Sequence, residues 1–423
     1  MISKIKIFYN DNKVWMYLGK YILISFLLAV GAILIDIRFI PILDYIPAFL
    51  MTSVDLAQSI LGTLSGSLLT ITTFTFSTIM VVLTMYSSNF SPRVVNNFLT
   101  DKITMKVLGI FVGGFFYCII ALFFMKESYA DYLVISATIA VIYSVLCVIY
   151  FVIFVYNVSS SIQATKLISR LYDESSEIIE RTLKNRENHL IVDLHAVGEF
   201  KSELEIISDT SGYLEFVEFK EILNTLKDME SKFIIKIDIG DFVSKNQVIA
   251  ILYYNEDLKD EELMANLIKS FSIEEERIAY NDYRFSLQKI IDIALRAMSP
   301  GINDPNTSIH CINILGVLLS KLSEIKGEYT IIKDENSKSQ IVYEDFHFKE
   351  DLYSTFYQIV HYGKKDISIV LSIFNALKTI SMSSSNDKIV IIKEFSDYIY
   401  QNSINNFNHE FDLEMLKKAQ ESI

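Results

Sequence analysis

The chain has 423 residues, more than one compact core holds, with a mean hydropathy of +0.32 and a formal net charge of −13. The charge is lopsided: residues 1–160 hold nine Lys/Arg against seven Asp/Glu, whereas residues 161–423 hold 29 against 44. Nucleic acid and anionic lipid head groups both attract clustered Lys/Arg, so the acidic part argues against either as its partner.

Four apolar runs in the first part, residues 21–37, 56–86, 107–125 and 132–156, approach or exceed the roughly 20 residues that cross about 30 Å of hydrocarbon. The first has no small-residue cleavage site before Asp36 and Arg38, so it reads as a retained span and not a signal peptide. Lys4, Lys6, Lys13 and Lys20 precede it, Arg93, Lys102 and Lys106 separate the second and third runs, and Lys166 and Arg170 follow the fourth. The opposite loops hold Arg38 and Lys126 alone. This bias predicts a multi-pass protein of the cell (inner) membrane, both termini cytoplasmic and the loop at 126–130 external. The cores read as free of Asp, Glu, Lys, Arg and His, which carriers and pumps use as intramembrane relays, so active transport is disfavoured.

The second run carries no charge from Leu56 to Pro92 yet is dense in Thr and Ser. Thr63, Thr70, Ser77 and Thr84 recur every seven residues and fall on one helical face. Such hydroxyls can bond back to their own helix or to neighbouring helices, which needs no water. Alternatively, several copies of the helix line a pore with the stripe facing water. Gly62 with Gly66, and Gly109 with Gly113 in the third run, are small-xxx-small pairs that allow close helix approach.

Residues 161–190 read as a charged helix continuing the last span, a stalk that ends near Asn185–Asn188. Residues 204–217 and 233–254 are rich in Ile, Val, Phe and Tyr and read as strands, with a short helix at 221–231 between them. Beyond residue 257 the chain reads as mainly helical. Phe285–Met298 shows an apolar face, Ser299-Pro300-Gly301 breaks it, and Asp304 with Pro305 caps and opens a helix to about Ile325. A hairpin is expected over 329–343, then helices over 352–380, 388–401 and 410–420.

The stretch Ile237-Asp238-Ile239-Gly240-Asp241-Phe242-Val243, with Gln247-Val248 after it, resembles a unit of the lipoyl/biotinyl barrel-sandwich domains, and Ser211-Gly212-Tyr213 looks like its matching start. The resemblance implies a β module over about 204–256. Asn246 stands where a glycine is usual. No carrier motif surrounds Lys220, Lys227 or Lys232, so no lipoyl or biotinyl cofactor is implied.

A second resemblance covers nearly the whole chain. Arg296, Ser299, Pro300, Gly301, Asn303, Asp304, Pro305 and Thr307 are similar to the signature of a bacterial predicted-membrane-protein family catalogued as domain of unknown function 2254. Phe90, Ser91, Pro92 and Arg93, followed by Asn97-Phe98-Leu99 and Asp101, look like its second motif. The resemblance implies a membrane protein and brings no activity with it. Taken as residues, Arg296, Asn303, Asp304 and Thr307 could hold an ion or polar ligand, but a turn, a cap and a Pro at a helix start explain most of them.

Cys118, Cys147 and Cys311 lie apart in apolar stretches, and the six histidines are scattered, so neither a disulfide framework nor a metal site is implied. Phosphate loops and nucleophile–base motifs are missing from the sequence. The expectation is therefore an α-helical membrane protein of about four spans with an α+β soluble domain. It would be a non-enzymatic homo-oligomer in the lipid bilayer that binds no nucleic acid, channel-like, with Thr63, Thr70, Ser77 and Thr84 at the axis. The alternative is a non-conducting, membrane-anchored sensor or scaffold.

Overall fold

Four long helices open the computed structural model: α1 (Lys13–Asp36), α2 (Val54–Asn89), α3 (Lys102–Phe124) and α4 (Ser136–Ser161). The structure describes residues 13–42, 45–94, 102–125, 133–193, 198–255, 261–335 and 337–423, which leaves the loop at 126–130 outside the described residues. Contacts divide the chain into two units, Met1–Leu167 and Ile168–Ile423. Each of the four helices is long and apolar enough to cross a membrane. The 36 residues of α2 reach about 54 Å at 1.5 Å per residue, well beyond the hydrocarbon thickness.

Within the first unit α3 is the most buried helix and packs against the other three. Its glycines explain this. A Cβ on Gly109 would lie 3.0 Å from the Tyr21 Cβ of α1, one on Gly113 would collide with Ser25 of α1, and one on Gly114 would lie 2.7 Å from Tyr143 of α4. Two short strands, β1 (Thr52–Ser53) and β2 (Leu133–Val134), pair antiparallel and tie the starts of α2 and α4 together. A carboxylate at the end of the first span has a structural role. Asp36 is the last residue of α1 and nearly buried, and it accepts from the Ile135 and Ser136 N–H groups (2.8 and 3.3 Å) and from the Ser136 hydroxyl. It satisfies orphan donors at the start of α4, so it acts as that helix's cap from 100 residues away.

The expected uninterrupted helix after the last span is two helices: α4 ends at Ser161 and α5 (Ala164–Glu187) begins after a break. Nor is α5 a bare stalk. Glu174 pairs with Lys289 (2.9 Å), Glu180 with Lys321 (2.7 Å), and the buried Arg186 pairs with Asp345 and donates to the Lys326 and Gly327 carbonyls. Charges that look solvent-facing in the sequence find partners more than a hundred residues on.

Among the described residues the second unit contains two sheets. Strands β3 (Leu190–Val192), β4 (Ser202–Ile207), β6 (Ser231–Ile235), β8 (Val248–Tyr254), β10 (Tyr329–Lys333) and β11 (Gln340–Glu344) form one, in the order β3-β10-β11-β6-β8-β4. Strands β5 (Gly212–Val217), β7 (Phe242–Val243) and β9 (Phe271–Glu274) form the other, in the order β7-β5-β9. Helices α6 (Phe219–Thr225) and α7 (Glu261–Lys269) pack with them. Phe233, Ile249, Leu252, Ile206, Leu226 and Ile341 are fully buried in one shared core. The sheets are not confined to residues 204–256: β6 pairs in parallel with β11 of the later hairpin, and β9 completes the smaller sheet. Pairing across a hundred residues leaves no local trace in a sequence. Asn246 adopts φ +70°, the left-handed conformation that asparagine tolerates better than most non-glycine residues, which accounts for its standing at a glycine position.

Helices α8 (Tyr283–Ala297), α9 (Pro305–Ser323), α10 (Phe348–Gly363), α11 (Ile367–Ser381), α12 (Asn386–Ser403) and α13 (Glu410–Glu421) complete the unit. α9 and α11 cross closely, where a Cβ on Gly316 would lie 2.9 Å from the Ala376 Cβ. The single helix expected over 352–380 is broken at 364–366. Gly363 ends α10, and the Asp366 side chain accepts from the Ser368 N–H (2.9 Å) to start α11. The Asp-Ile-Ser cap was there to be read, but the apolar periodicity on either side masked it.

Candidate functional site

The hydroxyl stripe is built by the period of α2. At about 100° per residue, Thr63, Thr70, Ser77 and Thr84 fall within about 60° of arc, and all four are exposed. Leu61, Leu68, Ile79, Val82 and Tyr86 are buried on the opposite side. The structure therefore keeps the four sequence-predicted residues together on the face turned away from the rest of the unit. Three of the hydroxyls bond inward along the helix: Thr63 donates to Ser59 O, Thr70 to Gly66 O and Thr84 to Met80 O, each at 2.9 Å. Gly62 and Gly66 lie on the same broad surface, and a Cβ on either would meet nothing within 4 Å. Exposed hydroxyls bonded this way need no partner, yet they leave the face smooth and weakly polar.

The second motif terminates this helix. The Phe90 and Ser91 N–H groups both donate to Tyr86 O (3.0 and 3.1 Å). The Ser91 hydroxyl accepts from the Arg93 N–H (3.2 Å) and opens a 3-10 turn with Pro92 first. Tyr86 carries the Phe90 ring edge-on and donates its hydroxyl to Ser161 O (2.6 Å), fixing the end of α2 to the end of α4. Asn97, Phe98, Leu99 and Asp101 lie outside the described residues.

The signature forms the turn between α8 and α9. Asp304 accepts from the Thr307 N–H (3.2 Å) and hydroxyl (2.6 Å), and Pro305 occupies the first helical position. Those two Thr307 hydrogen bonds, side chain first, hold the Asp304 carboxyl below the usual carboxylate range. The Ser299 hydroxyl donates to Arg296 O (2.7 Å) at the end of α8. Arg296, Pro300, Gly301 and Asn303 are exposed. The left-handed residue is Asn303, at φ +51°, and Gly301 has open space about its Cβ position. The turn is thus fully capped, with Gly301 and Pro300 at its exposed crest.

Sequence reasoning missed a polar seam between the sheets and the helices of the second unit. Asp238, in the loop after β6, accepts from Arg284 Nη1 at 2.6 Å. Arg284, in the first turn of α8, also donates Nε to Asp351 of α10 at 2.6 Å, and Tyr283 donates its hydroxyl to the other Asp351 oxygen at 2.6 Å. His347, preceding α10, lies with Nε2 3.0 Å from Asp238 and Nδ1 3.4 Å from Glu344. Burial opposes the Asp238 charge, but the His347 hydrogen bond and the Arg284 guanidinium outweigh it and hold the carboxyl below its ordinary range. These residues come from three separated segments, and their local signal is confined to the third, in the i, i+3 spacing of Glu344 and His347 and the i, i+4 spacing of His347 and Asp351. Among the described residues no cluster of three His, Cys, Asp or Glu side chains could hold a metal ion.

Four apolar helices followed by an α/β unit, with caps at both recognisable motifs, define a membrane protein of the multi-span class. The chain belongs to the predicted membrane protein family DUF2254, whose family model matches residues 11–379. It is similar to an uncharacterized protein of Mycobacterium bovis and to one of Mycobacterium tuberculosis. Each is 21% identical over 336 residues, 77% of this chain and 64% of the relative. The chain thus spans less than two thirds of the length of the curated relatives it matches. No solved structure matches it.

Proposed function

We propose that the protein is a channel-like homo-oligomer of the cell (inner) membrane, with the Thr63, Thr70, Ser77 and Thr84 face of α2 at its axis and the α/β unit gating or assembling it. The observation that carries this reading is that the hydroxyl and glycine surface of α2 is turned away from the other three helices. A seven-residue repeat lets copies of such a helix supercoil and keep one face at a common axis. An uncharged hydroxyl wall would select weakly among ions, because selectivity usually rests on carbonyl or charged rings. Both termini are cytoplasmic in this reading, from the bias of Lys and Arg. The sheets of the second unit act as an unmodified, barrel-sandwich-like structural module: Lys232, one of its candidate carrier lysines, is buried in β6.

A second reading, a non-conducting anchored sensor or scaffold, draws support from the hydroxyls that already bond to their own helix. Reconstitution in planar bilayers separates the two. With Thr70→Leu and Ser77→Leu conductance falls as the path dewets, and with Thr70→Cys small water-soluble thiol reagents block it. Absence of conductance from the unmodified protein under voltage and tension favours the anchor.

A further inference from the structure

The ring of His347 stands between two carboxylates: Nε2 is 3.0 Å from Asp238 Oδ2, and Nδ1 is 3.4 Å from Glu344 Oε1. A neutral imidazole carries one N–H, so it can donate to one of these acceptors while its bare lone pair faces the other. Only the imidazolium donates to both. The neighbourhood sharpens the demand. Facing His347 are Asp238 from the loop after β6, Glu344 from the end of β11 and Arg284 from α8, with Asp351 of α10 held on the far side of Arg284. One guanidinium against three carboxylates leaves two negative charges, and the imidazolium halves that excess.

The mechanical setting gives the charge a consequence. The buried core of the sheet body draws on residues 206–271 and 332–343 and includes no member of α8 to α13. Asp238 belongs to the sheet side, and Arg284, Asp351 and His347 sit at the N-terminal ends of α8 and α10. Both Arg284 and His347 converge on the same Asp238 oxygen, so the loop after β6 is clasped from two helices at once.

We propose that His347 is a pH-operated latch between the sheet body and the helical body, closed when its imidazolium bridges Asp238 and Glu344 and loosened when the ring loses a proton. The sign follows from the linkage. The hydrogen bond to Asp238 raises the His347 pKa above 6.5, against the opposing effect of burial. A group whose folded pKa is raised contributes stability that is complete below the unfolded value of 6.5 and is lost as pH rises through the folded value. The latch therefore opens on alkalinisation. It stands whether or not the four helices conduct.

The test is hydrogen exchange of the full chain in lipid nanodiscs, corrected for intrinsic rates, from pH 6 to 9 (about the range in which a raised histidine titrates). In the unmodified protein, peptides covering 237–241 and 344–351 lose protection together, with a midpoint above 6.5, while those covering β8 do not change. In His347→Gln the same peptides are weakly protected at every pH, and the pH-dependent step is absent. Protection that stays flat across the range in the unmodified protein overturns the latch, and this arm needs no variant to fold. A step that persists unchanged in His347→Gln overturns it too, because another group would then be titrating.

Discussion

α3 turns Gly109 and Gly113 toward α1, where an added Cβ would crowd Tyr21 or strike Ser25, whereas α2 turns Gly62 and Gly66 to a surface where it would meet nothing within 4 Å. The same small-xxx-small device is thus used inside the chain by one helix and left open by the other. α3 is correspondingly the most buried of the four spans, and α2 is exposed along its length on the hydroxyl side. Such a pair marks where a backbone can be approached, and the approaching partner has to be found elsewhere. For α3 the partner is α1 of the same chain. For α2 we propose a second copy of the chain.

The largest expected effect breaks this contrast on the α3 side. Gly113→Val forces a branched side chain into Ser25, and overpacking of this kind typically destabilises by about 1–3 kcal/mol. Differential scanning fluorimetry of the detergent-solubilised chain should show a lower melting temperature. Gly66→Val, read the same way, should leave the solubilised single copy within about 0.5 kcal/mol, as for substitutions away from packed features. Equal damage from both substitutions would erase the distinction.

A smaller effect is expected at the turn between α8 and α9, where the same logic separates a residue with partners from one without. Asp304→Ala removes the acceptor for the Thr307 N–H and hydroxyl and should destabilise by about 0.5–2 kcal/mol. At the same turn Gly301→Ala should cost far less, since its Cβ position is open and its φ is not left-handed. The expected change is within about 0.5 kcal/mol. An Asp304→Ala protein as stable as the unmodified one, yet without a cellular phenotype that the unmodified one supports, would mark the turn as a functional site.

Much of this was legible in the sequence because it is local. Apolar length located the four spans, and a seven-residue period placed Thr63, Thr70, Ser77 and Thr84 on one face. Asp304 and Pro305 announced the start of α9 through the side-chain chemistry of a cap. What escaped was non-local. Asp36 caps a helix a hundred residues away, Arg186 holds the carbonyls of Lys326 and Gly327, and β6 pairs with β11 across the intervening helices. In the seam around Asp238, Arg284, His347 and Asp351, only the last two are close in sequence; the three segments lie dozens of residues apart, so no spacing rule brings the first two to them.

Disulfide cross-linking between copies in native membranes, using single cysteines at four exposed positions of α2, shows whether the hydroxyl face meets a second copy. Thr70 and Ser77 lie on the hydroxyl face, while Leu69 and Phe76 are equally open to their surroundings but about 100° away around the helix. With the hydroxyl face at an oligomer axis, Thr70→Cys and Ser77→Cys form cross-linked dimers on oxidation, and Leu69→Cys and Phe76→Cys remain largely monomeric. Cross-linking that favours Leu69 and Phe76, or that is absent at all four positions, would rule out this face as the oligomer axis and leave the hydroxyl face of α2 turned to lipid.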